Sequence, residues 1–373
     1  SILHEKAEGH QQRKTELVRL EESSGRVCAK RIFSTESLPA FDTSAMDGFA
    51  VHSAATREAS PTQPVRLNIL GSLAAGDDFQ STTHQSPSAN DENAAWEIMT
   101  GAGFPPGTDA CVKQEDVDYI RNSEGRLEAI VLREPVLAGQ NRRLSGEDFS
   151  NGSEVIGVHH VLRDEDILVL ASLGVTTIEV YSKLKVGVIA TGKELVDLSE
   201  KPIGAQIRNS SMPYLLSALR SRGVNATSLG RVGDDPEDFM QIVRSAKAEG
   251  YDLILTTGAI SVGKYDFVAK SLLAEGMETY FQKVAIRPGK PLLFGKLPEG
   301  PFVMGLPGNP VATATGFRFF VDPFLKALMH LPTEKPFKAR LLNSTRKAAG
   351  ATCFLKATLK FGVDGDLVVE ANG

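Results

Sequence analysis

The strongest constraint on this chain is a rhythm between residues 184 and 328. Short apolar runs alternate there with stretches whose apolar residues recur at helical spacing. Runs at 185–190, 224–229, 253–255, 292–295 and 302–304 predict strands. Between them, Leu215, Leu216 and Leu219 share one helical face. That helix is expected to start at Ser210-Ser211, with Pro213 in its first turn, and to stop at Gly223. Asp235-Pro236 opens another, with Asp238 towards the positive end of its dipole, Phe239, Ile242, Val243 and Ala246 as its buried stripe, and Gly250 as its stop. A helix is predicted over 267–274, and a longer one from Pro310 to Leu328 with a kink at Pro323. Strands joined through helices make crossover connections. The expected result is a central three-layer α/β domain, a mostly parallel sheet with helices on both faces.

The flanking regions read differently. Residues 54–155 hold short β-rich runs at 65–70, 110–114, 127–132 and 154–161, separated by Gly, Pro, Ser and Asp, which predicts a compact β-rich unit. The polar run 81–93 reads as a loop, and 164–173 as a short helical link. Residues 1–30 read as a charged helix with a weak stripe of Leu17, Val18 and Leu20, broken at Ser23-Ser24-Gly25. Beyond Pro332 and Pro336, strands are expected at 338–342, 353–359 and 367–370, with Asp364-Gly365 as a hairpin turn. So short a region is expected to lean on a neighbour. The fold class is multidomain α/β and β.

Composition narrows the function. A chain of 373 residues exceeds one ordinary core. The net charge of −5 argues against nucleic acid as partner, although an acidic protein can still carry a basic pocket. Cys28, Cys111 and Cys353 have neither metal-pair nor disulfide spacing, which favours a reducing compartment. The polar start lacks a signal-peptide core, and no run approaches the roughly eighteen apolar residues of a membrane span. A cytoplasmic location is expected. His84, His159 and His160 show no zinc-like spacing, and no Ser-His-Asp triad is evident.

Four segments are candidates for chemistry. Residues 255–263 follow a predicted strand. Gly258 and Gly263 free the backbone to face an anion, with Ser261 and, near the next helix, Asp266; the alternative is an ordinary βα turn with an Asp cap. Lys283, Arg287 and Lys290 surround a Pro-Gly turn and suit an oxyanion; the alternative is a solvated basic turn. Pro307 and Gly308 lie in a strand-to-helix turn expected to present N–H groups, without the Gly-Lys-Ser/Thr of a P-loop. Asp47-Gly48 either turns the chain or carries Asp47 into a pocket, and Thr100-Gly101 and Glu147-Asp148 invite the same two readings. Asp47, Asp148, Glu194, Asp234 and Asp266, if they converge, are ligands for Mg²⁺; singly they are caps or surface charges.

Taken together and in order, PAFDTSAMDGFAV, IMTGAGFPPGTDACVKQED, GQNRRLSGED, ATGKEL, GRVGDDP, TTGAISVGKYDF, IRPGKPLLFG and GLPGNP resemble the family of MoeA, the gephyrin E domain and the plant Cnx1 E domain. The resemblance spans about residues 25–328 and fades towards 373. It implies a molybdopterin molybdenumtransferase that inserts molybdenum from molybdate into adenylylated molybdopterin and releases AMP, with Mg²⁺. It further implies a homodimer supplied by a molybdopterin adenylyltransferase, fused or separate. Asp47, Asp148, Glu194, Asp234 and Asp266 would be the acidic catalytic positions, the last two also holding metal. Thr100, Gly258, Ser261, Gly263, Lys283, Arg287, Lys290, Pro307 and Gly308 would contact the substrate. Four subdomains are implied: I, linking and dimer-forming, at 1–53 with 156–183; II at 54–155; III at 184–328; and IV at 329–373, short of the family's closing stretch. Arg287, Lys264 and Ala259 depart from the residues common at those positions. A gephyrin-like scaffold, a catalytically impaired relative and a different nucleotide hydrolase are the competing readings. An exposed peptide-binding surface would favour the scaffold, and turnover without molybdate the hydrolase.

Overall fold

In the computed structural model, which describes residues 2–8, 14–77, 93–258, 267–343, 349–362 and 364–372, the first apolar run of the α/β rhythm forms the strand Lys185–Thr191. It is buried along nearly its whole length, as a central parallel strand is. It pairs in parallel with Asn225–Val232 on one side and Leu253–Thr257 on the other. Leu253–Thr257 pairs in parallel with Phe302–Leu306. Leu293–Lys296 returns antiparallel, and Glu278–Gln282 reverses again at the edge of this six-stranded sheet. Two reversals restore the original direction, so every strand except Leu293–Lys296 runs the same way.

Side chains alternate between two cores. Val186, Val188, Ala190, Leu253, Leu255, Phe302 and Met304 join one cluster with Leu215 and Leu219 of the helix Ser211–Arg220 and Phe324 of Asp322–Leu328. Ile189, Ile254 and Val303 join the other, with Phe239 and Val243 of Pro236–Ala248 and Leu272 of Phe267–Ala274. Phe324 meets Phe294 and Phe302 edge-on at 4.9 Å each, adding about 0.5–1.5 kcal/mol per pair beyond area burial. Asp235 accepts hydrogen bonds from the N–H groups of Glu237 and Asp238, so the cap expected from Asp-Pro is present.

Several expectations are corrected. Ser210 is helical and its side chain does not cap; Asn209 does, accepting from the Met212 N–H at 3.2 Å. The run from Pro310 to Leu328 is not one α-helix. Pro310–Gly316 passes through a π-turn at Phe317–Val321 into Asp322–Leu328. Pro323 has no N–H and crowds the carbonyl one turn back, and the wider turn relieves both problems. The start is not a continuous charged helix. Ile2–Glu8 is helical, but Thr15–Arg19 is a strand antiparallel to Thr177–Tyr181, with Leu17 72% exposed. A five-residue stretch cannot announce a partner far away in sequence.

The described residues group into two compact units. One comprises Ser1–Ala29, Val158–Arg163 and Thr177–Gly373; the other comprises Lys30–Gly157 and Asp164–Thr176. The second unit holds a six-stranded sheet in the order Ala110–Lys113, Gly48–Val51, Ala94–Ile98, Val65–Leu73, Leu127–Leu132, Asp118–Arg121. The sheet thus includes a strand before residue 54. Gly48–Val51 is wholly buried and shows no polar alternation that would mark it as a strand. In the first unit, Arg340–Leu341, Leu367–Ala371 and Ala357–Phe361 form a small sheet near the C-terminus. Thr352–Cys353 pairs with Ile286–Arg287, and Phe354 stacks on Phe319 at 3.8 Å, so this region does lean on its neighbour. Of the run 81–93, all but Asn93 lies outside the described residues, as do Ala259, Ser261, Gly263, Lys264 and Asp266.

A Cβ on Gly48 would stand 2.0 Å from the carbonyl oxygen of Val112. Gly48→Ala is therefore expected to lower stability by about 3 kcal/mol, the upper end for overpacking. Urea unfolding checks this: the midpoint should fall with the slope unchanged.

Candidate functional site

The strand directions decide where the candidate loops meet. Thr191, Val232, Thr257, Leu306 and Gln282 are the last residues of strands that run the same way. Glu194, Asp234, Gly258, Pro307, Gly308 and Lys283 therefore all follow the carboxyl edge of one sheet, where ligands of open α/β sheets bind. The loop from Lys283 to Lys290 belongs to the same edge, because the next strand starts back from it.

These loops are packed against one another. The Thr191 hydroxyl donates to the Thr257 carbonyl at 2.8 Å. Gly258 follows with φ +87, and a Cβ there would stand 2.4 Å from the Thr191 carbonyl oxygen. The Gly258 N–H donates to the Leu306 carbonyl at 3.1 Å, and a Cβ on Gly308 would reach the Gly258 Cα at 3.5 Å. Glycine at 258 thus allows three strand ends to close up. Gly192 serves similarly: the Glu194 carboxylate folds to 2.7 Å from where its Cβ would be. Lys193 places its ammonium 3.9 Å from Asp234.

The turn at Pro307 and Gly308 corrects one expectation. Its helix does not offer free N–H groups to an anion. The Asn309 side chain accepts from the N–H groups of Val311 and Ala312, and the Asn309 carbonyl accepts from Thr313 at 2.8 Å. The Thr313 hydroxyl also donates to the Pro307 carbonyl at 2.6 Å. Asn309 satisfies the helix start that sequence reading assigned to a ligand, and the asparagine before a proline was the available signal.

Positive charge at this edge comes from side chains. The Lys283 N–H donates to the Leu292 carbonyl at 2.7 Å and the Val284 N–H to the Lys290 carbonyl at 3.0 Å. Gly289 packs beside the Ala312 carbonyl, which sets the loop against the helix after Gly308. Lys283, Arg287 and Lys290 are all exposed, and none forms an ion pair among the described residues.

The second unit holds the other candidates. Asp47 accepts from the Thr100 N–H at 2.7 Å and from its hydroxyl at 2.8 Å, so two separately nominated residues meet. The Thr100 N–H, then its hydroxyl, hold the Asp47 carboxyl below the usual carboxylate range. Asp47-Gly48 is no simple turn, since Gly48 starts a buried strand. Both oxygens of Asp148 accept from one Arg143 nitrogen at 2.7 Å, and this pairing raises the Arg143 pKa. Sequence reading did not single out Asp42 and Arg142. Arg142 donates through Nε to Asp42 Oδ2 at 2.9 Å, and the Ser145 N–H donates to Oδ1 at 2.7 Å. Asp42 lies in the same segment as Asp47, and only the fold brings it to Arg142.

Among the described residues, no three His, Cys, Asp or Glu side chains converge as metal ligands would. The described carboxylates therefore do not fit a Mg²⁺ shell by themselves, and Asp234 faces a lysine instead.

Residues 2–174 match the MoeA N-terminal region (domain I and II), and residues 187–327 match a probable molybdopterin binding domain. The chain belongs to the MoeA family. A molybdopterin molybdenumtransferase of Synechococcus elongatus is 41% identical over 347 residues, covering 92% of this chain and 83% of that protein. One from Haemophilus influenzae is 35% identical, covering 96% and 85%. Among solved structures, a molybdopterin biosynthesis moeA protein from Pyrococcus horikoshii OT3 superposes with a TM-score of 0.77 at 28% identity, covering 95% of this chain and 84% of that one. The match to the molybdopterin-binding family model coincides with the six-stranded α/β sheet whose carboxyl edge gathers the loops described above.

Thr100→Val removes the hydroxyl donor and keeps the N–H. The Asp47 pKa is expected to rise part of the way to its ordinary value, read by NMR titration of the carboxyl carbon. The sign follows from linkage: a depressed folded pKa stabilises the folded state above the unfolded pKa, and that contribution is lost as pH falls through the folded one. An unchanged Asp47 titration in the variant contradicts the assignment.

Proposed function

We propose that this chain is a molybdopterin molybdenumtransferase acting in molybdenum cofactor biosynthesis, transferring molybdenum from molybdate into adenylylated molybdopterin with release of AMP. The observation that carries this reading is the carboxyl edge of the α/β sheet, where exposed Lys283, Arg287 and Lys290 lie on a loop whose Gly289 packs against the helix that follows Gly308. Adenylylated molybdopterin and molybdate are both anionic, and bringing them together costs repulsion that fixed cations offset. Arg287 grips an oxyanion through its fork, while Lys283 and Lys290 act as mobile point charges. Ser261 joins them at molybdate in this reading, with Gly263 at the same loop.

The finer parts belong to the same proposal. Asp47, Asp148, Glu194, Asp234 and Asp266 are the acidic catalytic positions of this reading. The reaction depends on Mg²⁺, although the described carboxylates do not form its shell by themselves. The four-part division, the three-layer arrangement of the central part, the homodimer, the cytoplasmic setting and the adenylyltransferase as substrate donor complete it. No helix among the described residues is long and apolar enough to cross a membrane.

Purified protein given adenylylated molybdopterin, Mg²⁺ and molybdate is expected to release AMP only when molybdate is present. AMP release at the same rate without molybdate overturns the insertase and favours a hydrolase. Arg287→Ala is expected to cut turnover about tenfold or more, the scale of one lost charge-assisted contact. Circular dichroism should show an unchanged fold. Chelation should abolish turnover and added Mg²⁺ restore it.

A further inference from the structure

A separate cleft of about 670 Å³ opens in the second unit, within the size range of small-molecule sites. Its walls include Phe41, Phe104, Pro105, Pro106, Asp42 and Arg142. Phe41 is 56% exposed, and its ring edge lies 3.3 Å from where a Gly103 Cβ would be. A side chain at 103 would push the ring away. Phe104 is anchored from behind on the cluster of Leu73, Trp96, Ile98 and Ala102. The guanidinium of Arg142 stands 5.3 Å from the Phe104 ring centroid. The Pro105–Thr108 turn closes on itself, with the Thr108 hydroxyl donating to the Pro105 carbonyl at 2.7 Å, and its two prolines offer no N–H donors. The cleft therefore has stiff apolar walls and an ion pair at one side.

That combination selects among ligands. Arg142 is already neutralised by Asp42, and Asp77 also lines the cleft, so a phosphate finds no net positive charge here. An aliphatic chain would leave the ion pair without a use. A flat ring stacks on exposed phenylalanine, and ring N–H groups have a carboxylate to face. The Ser145 N–H and then Arg142 hold the Asp42 carboxyl below the usual range, so it remains an ionised acceptor at neutral pH.

The geometry points to this cleft as a binding site for a flat nitrogen heterocycle, stacked on Phe41 beside Phe104, with its donor edge at the Asp42–Arg142 pair. This deepens the insertase reading, since adenylylated molybdopterin carries two such rings, a pterin and an adenine.

Isothermal titration of the full chain with free pterin, with AMP and with ribose 5-phosphate tests it. Pterin or AMP is expected to bind in a way that depends on Phe41, and ribose 5-phosphate, which only the basic edge of the other unit can hold, more weakly and independently of Phe41. Phe41→Ala should weaken the bound probe at least tenfold, Phe41→Trp should restore it, and Phe104→Leu should weaken it with the thermal melt unchanged. Binding of pterin identifies the pterin ring as occupant, and binding of AMP the adenine. Equal affinity of Phe41→Ala and wild type, no binding of either heterocycle, or ribose 5-phosphate binding as tightly as AMP overturns the proposal. The two readings fail separately. Heterocycle binding that depends on Phe41 without molybdate-dependent AMP release defeats only the insertase, and turnover with Phe41-independent binding defeats only the cleft.

Discussion

The parallel register of Lys185–Thr191, Leu253–Thr257 and Phe302–Leu306 is the constraint on which the candidate site depends. Because these strands share a direction, the loops after them emerge at one edge. Because Gly258 has no side chain, the loops close up until backbone meets backbone. Two apolar cores take up alternate side chains of the sheet, and polar groups collect at that edge. The scaffold is stiff where it must hold position, and its charges are displayed on loops.

Electrostatics at the edge follows from what the fold satisfies internally. Asn309 uses up the helix N–H groups after Gly308, so the backbone there contributes rigidity, and the exposed cations at that edge include Lys283, Arg287 and Lys290. In the second unit the acids are held by neighbours: Asp47 by Thr100, Asp148 by Arg143, Asp42 by Arg142 and Ser145. The donors on Asp47 and on Asp42 lower both pKa values and fix the direction of each carboxylate.

Legibility in the sequence tracked the range of the interaction. Asp235-Pro236 announced its helix because a cap and its N–H partners lie within three residues. The helix Phe267–Ala274 and the strand Leu127–Leu132 were readable for the same reason, as local periodicity. Thr15–Arg19 does not read as a strand because its partner, Thr177–Tyr181, lies far along the chain, and Gly48–Val51 is hidden because a strand buried along its whole length shows no alternation. In the site, the glycines and the basic loop were visible as composition. The pairings of Asp47 with Thr100 and of Arg142 with Asp42 were not, since each joins residues far apart in the chain.

The sequence by itself determined the α/β rhythm, the acidic balance of the whole and, through ordered motifs, the family. Those are properties of neighbouring residues and survive being read along a line. Tertiary structure alone decided that Thr191, Gly258 and Gly308 touch, that Asn309 closes its own helix, and that Phe41 and Phe104 wall a cleft beside an ion pair. Contacts between distant segments depend on strand direction and packing, and no local pattern encodes them.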